Sequence, residues 1–318
     1  MSKTFFDELE IPQPDINLEV GSGSHAQQTA DIMKCFEPVL LEHKPDAVLV
    51  VGDVNSTVAC VLVAAKLGIK TIHVEAGLRS FDRSMPEEIN RIVTDSICDI
   101  LFVTEPSAVE NLKKEGVSES KIHFVGNVMI DTLLSNKAKA EKSDILNKLN
   151  LSDNEYAVIT LHRPSNVDNH KVFSGIIDAF EEIQKDIKMV FPIHPRTLKN
   201  IQANGLANRL NNLNNMKIID PLGYFDFLKL MSNSKIVLTD SGGMQEEATI
   251  LGIPCLTIRE NTERPVTITD GTNRLVGTKA NNIITGYKES LSQSNNRVPE
   301  LWDGHAAERI VNVLHKVI

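Results

Sequence analysis

The 318-residue chain is long enough for two domains with cores of their own. Its 42% apolar and 24% charged content is that of an ordinary soluble globular protein, and a net charge of −9 argues against nucleic acid or a polybasic membrane contact as partner. Four cysteines, Cys35, Cys60, Cys98 and Cys255, lack any C-x-x-C spacing and read as reduced, mostly buried thiols of a cytoplasmic protein. The opening MSKTFFDELE is acidic and has no apolar run, so no signal peptide is expected there. The most apolar region, Ala47 to Ile69, carries Asp53, Asn55 and Ser56 in its middle, which predicts strand, turn and helix in place of a membrane span.

Residues 1–25 are polar and turn-rich, with Pro12, Pro14 and a Gly21–Ser24 segment. Apolar residues at Ile32, Met33, Phe36, Val39 and Leu40 predict a helix over His25–His43. Ala47–Val51 is a continuous β-branched run suited to a parallel strand buried on both faces. The order then repeats: helix 57–66, strand 70–74, helix 86–97, strand 99–104, helix 106–115 and strand 122–125. Residues 138–155 are charged and Lys- and Asn-rich, and read as a connection between domains. Alternation resumes with strands near 157–161, 189–192, 216–219, 235–239 and 254–258, separated by helices, with an Asn-rich solvated stretch at Asn204–Asn215. Residues 303–317 predict a closing amphipathic helix with Ala306, Ile310, Val313 and Leu314 on one face. The expected architecture is α/β, with two Rossmann-like parallel sheets facing across a cleft and domains of 1–155 and 156–318.

Lys70–Arg91 organises the first domain. Glu75 falls where a parallel strand ends, the place where open α/β sheets hold ligands. Glu87, Glu88 and Arg91 fall in the first turn and a half of the next helix, so carboxylates arrive from two elements, as acid–base chemistry on opposite faces of one carbon often requires. A plainer reading of the same residues is a Ser84-x-x-Glu87 capping box with Pro86 in the first turn and a Glu87/Arg91 i,i+4 pair.

In the second domain, the strand ending at Thr239 runs into Asp240-Ser241-Gly242-Gly243, which leaves backbone N–H groups open for an anion at a helix start. A tight turn with a polar cap is the alternative. Glu247 lies one turn further on and suits a ribose diol, or serves as an ordinary helix-dipole carboxylate. Arg259 and Arg264 offer guanidiniums for a diphosphate, and His162-Arg163 follows another strand of the same sheet. The loop is neither G-x-G-x-x-G nor Walker A.

Six segments in order, GDVNST (52–57), HVEAGLRS (73–80), MPEEINR (85–91), HRPSN (162–166), TDSGGMQEEA (239–248) and NTERP…GTNRLVG (261–277), resemble the non-hydrolysing UDP-N-acetylglucosamine 2-epimerases, which have the GT-B fold. The resemblance implies interconversion of UDP-GlcNAc and UDP-ManNAc by anti elimination of UDP to a 2-acetamidoglucal and its re-addition. It implies catalytic roles for Asp53, Glu75, Glu87 and His162, and substrate contacts from Arg91, Arg163, Ser241, Gly242, Gly243, Glu247 and Arg264. Phe227 falls where the family has an aromatic near the uracil, and Leu222 where it can have Gln. No cofactor is implied, and His, Cys and Asp are not grouped as metal ligands. A UDP-sugar substrate, a cytoplasmic homodimer and no nucleic-acid or membrane partner are expected.

Within the family, a UDP-diacetamido-uronic acid epimerase shares GDTNST-like and MPEEINR segments, while the TERP and GTNRLVG stretches favour the GlcNAc type. A GT-B glycosyltransferase or a non-catalytic nucleotide-sugar binder are readings from other classes. The resemblance also leads one to expect an upstream strand ending in Gly-Thr-Arg-Pro-Glu, and Met1–Phe6 resembles the helix just after it. On that basis the chain reads as an incomplete epimerase with weak turnover, whose strand 47–51 exposes apolar side chains and an unpaired edge.

Overall fold

The computed structural model describes residues 8–203, 205–291 and 297–318. Met1–Phe6 and Asn204, to which two of the readings above refer, lie outside the described residues. The chain forms helix α1 (His25–His43), β1 (Ala47–Val51), α2 (Asn55–Lys66), β2 (Lys70–Ala76), α3 (Pro86–Ile97), β3 (Ile100–Val103), α4 (Pro106–Lys114) and β4 (Ile122–Phe124). After α5 (Val128–Ala140) come β5 (Tyr156–Thr160), α6 (His170–Ile183), β6 (Lys188–Pro192), β7 (Met216–Ile219), α7 (Tyr224–Ser232), β8 (Ile236–Thr239) and α8 (Gly242–Leu251). The chain continues through β9 (Cys255–Thr257), β10 (Asn273–Leu275), α9 (Ala280–Ser290) and α10 (Ala306–Val317), with shorter helical turns between some of these.

Two compact units result. One comprises Gln13–Asp131 and Glu300–Ile318, the other Thr132–Pro299 with the described residues before Gln13. The first holds a four-stranded parallel sheet in the order β1-β2-β3-β4. One face is covered by α2 and α4, where Val61, Ala108 and Leu112 meet Val50, Leu101 and Val103. On the other face Ile310, Val313 and Leu314 of α10 meet Ile72, Val74, Ile100 and Phe102. All four residues of β3 are buried, as a parallel strand covered on both faces must be. β1 lies at the edge, and its Leu49 and Val51 are 44% and 48% exposed.

The apolar face expected for the closing helix is therefore real, but it completes the first sheet and not the second. Periodicity shows that a helix has an apolar face without showing which sheet will cover it. The 155/156 boundary likewise gives way to a division at Asp131/Thr132, because Leu133 and Ala140 of α5 pack into the second unit's core.

The second unit has a six-stranded parallel sheet ordered β10-β9-β8-β5-β6-β7. The chain starts at β5, moves outward through β6 and β7, then returns to lay β8 against the other side of β5 and goes on to β9 and β10. Strand order reverses between β5 and β8, the topological switch point where doubly wound sheets bind ligands. Five of the six strands are legible in the sequence. The sixth, β10, is three residues long with an Arg at its centre, and it exists by pairing with β9. Phe173, Ile177 and Phe180 of α6 with Ile283 and Tyr287 of α9 cover one face, and Leu228, Met231, Met244 and Ala248 of α7 and α8 the other.

Candidate active site

In the first unit the loops after β1 and β2 bring several carboxylates into view. Between Val74 and Ala76 the pairing of β2 with β3 slips, and Glu75 is the residue left over. Its backbone lies in the left-handed region at φ 71°. That conformation costs a non-glycine residue on the order of 1–3 kcal/mol and is concentrated at functional sites. A bulge of this kind re-aims one side chain while leaving the strand intact.

The plainer roles considered for Glu87 are not taken up. Met85, not Ser84, is the N-cap of α3, and it makes no side-chain cap bond. The Ser84 hydroxyl instead donates to Asp82 at 2.6 Å. Arg91 pairs with Glu88, one residue further along, and with Asp53. Half-buried Glu87 has no hydrogen-bond or ion-pair partner among the described residues.

Arg91 is only 2% exposed. Its Nη2 lies 2.6 Å from Glu88 Oε2, and its Nη1 holds the Asp53 carboxylate. Glu88 also accepts the Ser80 N–H at 3.0 Å and the Phe81 N–H at 2.9 Å. Burial alone would raise the Glu88 carboxyl, but these N–H groups and Arg91 outweigh it and hold it below the usual range. Arg91, expected as a substrate contact, holds both Asp53 and Glu88 here. Asn90 reinforces the same loop by donating to the Asp53 carbonyl at 2.9 Å.

In the second unit, the loops at the switch point carry His162-Arg163 after β5 and Asp240-Ser241-Gly242-Gly243 after β8. Thr160 and Thr239 join the two strand ends through a 2.6 Å hydroxyl hydrogen bond. Fully buried Asp240 accepts the backbone N–H groups of His162 (3.1 Å) and Arg163 (2.9 Å) and lies 3.1 Å from His162 Nδ1. A proton on Nδ1 satisfies that carboxylate and leaves Nε2 with its lone pair. Although 46% of the His162 side chain is open to solvent, partial burial acting with Arg163, His194 and Arg259 outweighs Asp240 and holds the ring below the ordinary histidine range.

Ser241 is the N-cap of α8, yet its hydroxyl makes no cap bond, so the first-turn N–H groups remain available to an anion. Gly242 is required by close approach: a Cβ there would sit 2.7 Å from Arg264 Nη1 and 2.8 Å from Glu263 Oε1. Arg264, expected to face a diphosphate, has Nε 2.8 Å from Glu246 and Nη1 2.7 Å from Glu263. Glu263 also binds Arg259 at 2.8 Å, and these guanidiniums keep its carboxyl ionised far below its usual range despite burial. Arg163 is more open, 24% exposed, with Nε donating to the Asp240 carbonyl at 2.9 Å. Phe227 and Leu222 lie against the core beside α7, half-buried.

A family model described as UDP-N-acetylglucosamine 2-epimerase matches residues 1–315. The chain belongs to that family. A UDP-N-acetylglucosamine 2-epimerase of Methanococcus maripaludis is 46% identical across 99% of this chain and 87% of its own length. A UDP-2,3-diacetamido-2,3-dideoxy-D-glucuronate 2-epimerase of Pseudomonas aeruginosa is 41% identical across all of this chain and 88% of its own. The crystal structure of Methanocaldococcus jannaschii UDP-GlcNAc 2-epimerase in complex with UDP-GlcNAc and UDP superposes with a TM-score of 0.93 at 45% identity, covering 99% of this chain and 88% of that one.

Within this epimerase-family chain, sequence reasoning assigned no role to Asp240, Glu263 or Gln245, although all lie in the motifs it used, and it set Glu88 beside Glu87 at the helix start without separating their roles. Gln245 accepts from Thr262 (2.7 Å) and Asn273 (3.0 Å), tying α8 to the 261–277 segment. The available signal was the density of Asp, Glu and Arg at strand ends. What it could not give was which of two adjacent residues, Glu87 or Glu88 and Glu246 or Glu247, turns inward.

Glu247 is the outward member of its pair. It has no hydrogen-bond or ion-pair partner among the described residues, and burial pushes its carboxyl up to about 7. A diol donating to it stabilises the ionised form, so binding releases a proton and affinity rises with pH until Glu247 is already ionised in the free protein. Affinity for UDP-GlcNAc is therefore expected to climb between about pH 6 and 7.5 and then level off. Glu247→Ala should weaken it by roughly 1–3 kcal/mol and flatten the profile. Calorimetry across pH reads both effects, and a wild-type affinity constant over that range rules out the contact.

Proposed function

We propose that the chain interconverts UDP-GlcNAc and UDP-ManNAc by inversion at C2, without hydrolysis. Support comes from family membership together with one structural observation: two carboxylates on separate elements, Glu75 on a strained bulge and Glu87 without a protein partner. In this reading one of them takes the C2 proton. The C–H electron pair forms the C1=C2 bond of a 2-acetamidoglucal while the C1–O pair leaves with UDP. The other group then delivers a proton to the opposite face of C2 and the diphosphate oxygen returns to C1.

Asp53, steadied by Arg91, supplies a further carboxylate beside them, and Arg91 acts through it. In the second unit the α8 N-terminus, Arg163 and His162 take the diphosphate, where leaving-group charge develops. Glu247 takes the ribose, and Phe227 the base. Arg264 serves by fixing Glu246 and Glu263 beneath Gly242. The reading carries a cytoplasmic homodimer with it, and light scattering of the purified protein tests the assembly.

The decisive experiment is proton NMR of UDP-GlcNAc with the protein in D2O. Deuterium entering at C2 while UDP-ManNAc accumulates is the expected result. Turnover that requires an added acceptor, or binding without exchange, would overturn the epimerase reading. Among the described residues no helix is long and apolar enough to cross a membrane.

A further inference from the structure

His73, on β2, is completely buried, and both of its ring nitrogens face oxygen. Nε2 lies 2.8 Å from the Gly52 carbonyl, an oxygen that only accepts, so Nε2 carries a hydrogen. Nδ1 lies 2.7 Å from Asp95 Oδ1. The other Asp95 oxygen accepts the Gly77 N–H at 3.0 Å and lies 2.7 Å from Arg79 Nη1. Burial would raise the Asp95 carboxyl, but His73 and Arg79 outweigh it and keep it ionised. Nδ1 faces that carboxylate, so the ring bridges the Gly52 carbonyl and Asp95. Arg79 is held in turn by Glu115 at 2.6 Å.

The position of this pair gives it significance for the reaction. Gly52 immediately precedes Asp53. Its N–H donates to the Val74 carbonyl at 3.1 Å and its carbonyl accepts from His73, so both its polar groups are fixed by the two residues just before Glu75. Gly77 follows Glu75 by two residues. Its N–H is taken by Asp95 and its carbonyl by Asn111 at 3.0 Å. At φ 78°, with a Cβ there falling 2.5 Å from the Ala108 carbonyl oxygen, Gly77 admits no side chain. One buried pair thus clamps the backbone beside both Asp53 and Glu75.

We propose that His73, bridging the Gly52 carbonyl and Asp95, is a positioning residue that sets the Asp53 and Glu75 loops as one rigid assembly. The proposal deepens the epimerase reading and rests on it. A misplacement of about 1 Å can cost on the order of 10²-fold in rate. His73→Phe removes both ring contacts, and His73→Gln keeps one. For both variants, turnover is measured at a temperature where melting curves show them folded and calorimetry shows normal UDP affinity.

The expected result is a kcat about 10²-fold lower for His73→Phe, with KM within threefold of wild type and His73→Gln partly restored. A folded His73→Phe variant with kcat within threefold of wild type overturns the proposal, as does a loss that vanishes on cooling. Should neither variant fold, ring nitrogen-15 NMR of the wild-type protein decides: a protonated His73 Nε2 protected from exchange supports the bridge to Gly52, and an unprotonated Nε2 overturns it. Wild-type protein that fails to turn over UDP-GlcNAc would instead defeat the epimerase reading, and the ring measurement would still stand.

Discussion

Replacing Glu75 by Gln, or Glu87 by Gln, is expected to lower epimerisation by about 10²–10⁴-fold, the usual cost of removing a proton-transfer group. UDP affinity should survive, because the groups assigned to the nucleotide belong to the other compact unit. The two substitutions are nearly isosteric, so packing is preserved and the loss reports chemistry. Glu75→Gln leaves the bulge and its φ of 71° in place. Glu87→Gln disturbs no protein hydrogen bond among the described residues. Single-turnover deuterium exchange at C2 separates the two roles: the residue that removes the proton from UDP-GlcNAc controls wash-in from that substrate, and its counterpart controls wash-in from UDP-ManNAc. Near-wild-type turnover in either variant would return that residue to a structural role.

Glu88→Ala is expected to act on stability. Glu88 is 1% exposed and binds the buried Arg91 together with two backbone N–H groups. Removing one partner of a buried ion pair costs about 3–5 kcal/mol when the other charge is left without compensation, and Arg91 keeps Asp53, so the loss is expected at the lower end of that range. Against a typical net stability of about 5–15 kcal/mol, that loss should lower the melting point of the first unit sharply. The second unit's UDP binding provides the internal control. The pH dependence follows in sign. Glu88 titrates lower in the folded state than unfolded, so its contribution is complete above the unfolded value of about 4.3. It is lost as pH falls from there through the folded value. Wild type should therefore lose its advantage over the variant in acid, and a difference in melting point that persists unchanged to pH 2 would contradict the assignment.

Much of this fold is legible in the residues, for identifiable reasons. Ala47–Val51 and Ile236–Thr239 are continuous apolar runs bounded by turn residues, and helix α1 announces itself by spacing. The reach of such patterns ends where an element depends on a neighbour. Asn273–Leu275 becomes a strand because Cys255–Thr257 offers it a parallel edge. The candidate site shows the same division. Position at strand ends marks Asp53, Glu75 and His162, since strand ends are visible. That Arg91 would turn to Asp53 and Glu88 depends on the rotation of α3 on its sheet. The cysteines make the point in small: Cys98 and Cys255 are buried as expected, while Cys35 lies on the exposed side of α1.

The return of Glu300–Ile318 to the first sheet has a consequence for biosynthesis. Residues 13–131 leave the ribosome early, but the apolar face of Ile72, Ile100 and Phe102 has no cover until α10 follows. At about 5–20 residues per second, that interval is roughly ten to forty seconds. Throughout it the nascent sheet is exposed to chaperones and to neighbouring chains, while the core clusters of the other unit are drawn from one later-made stretch of chain. Emergence of α10, and not of the strand-end motifs, sets the moment at which that face is covered.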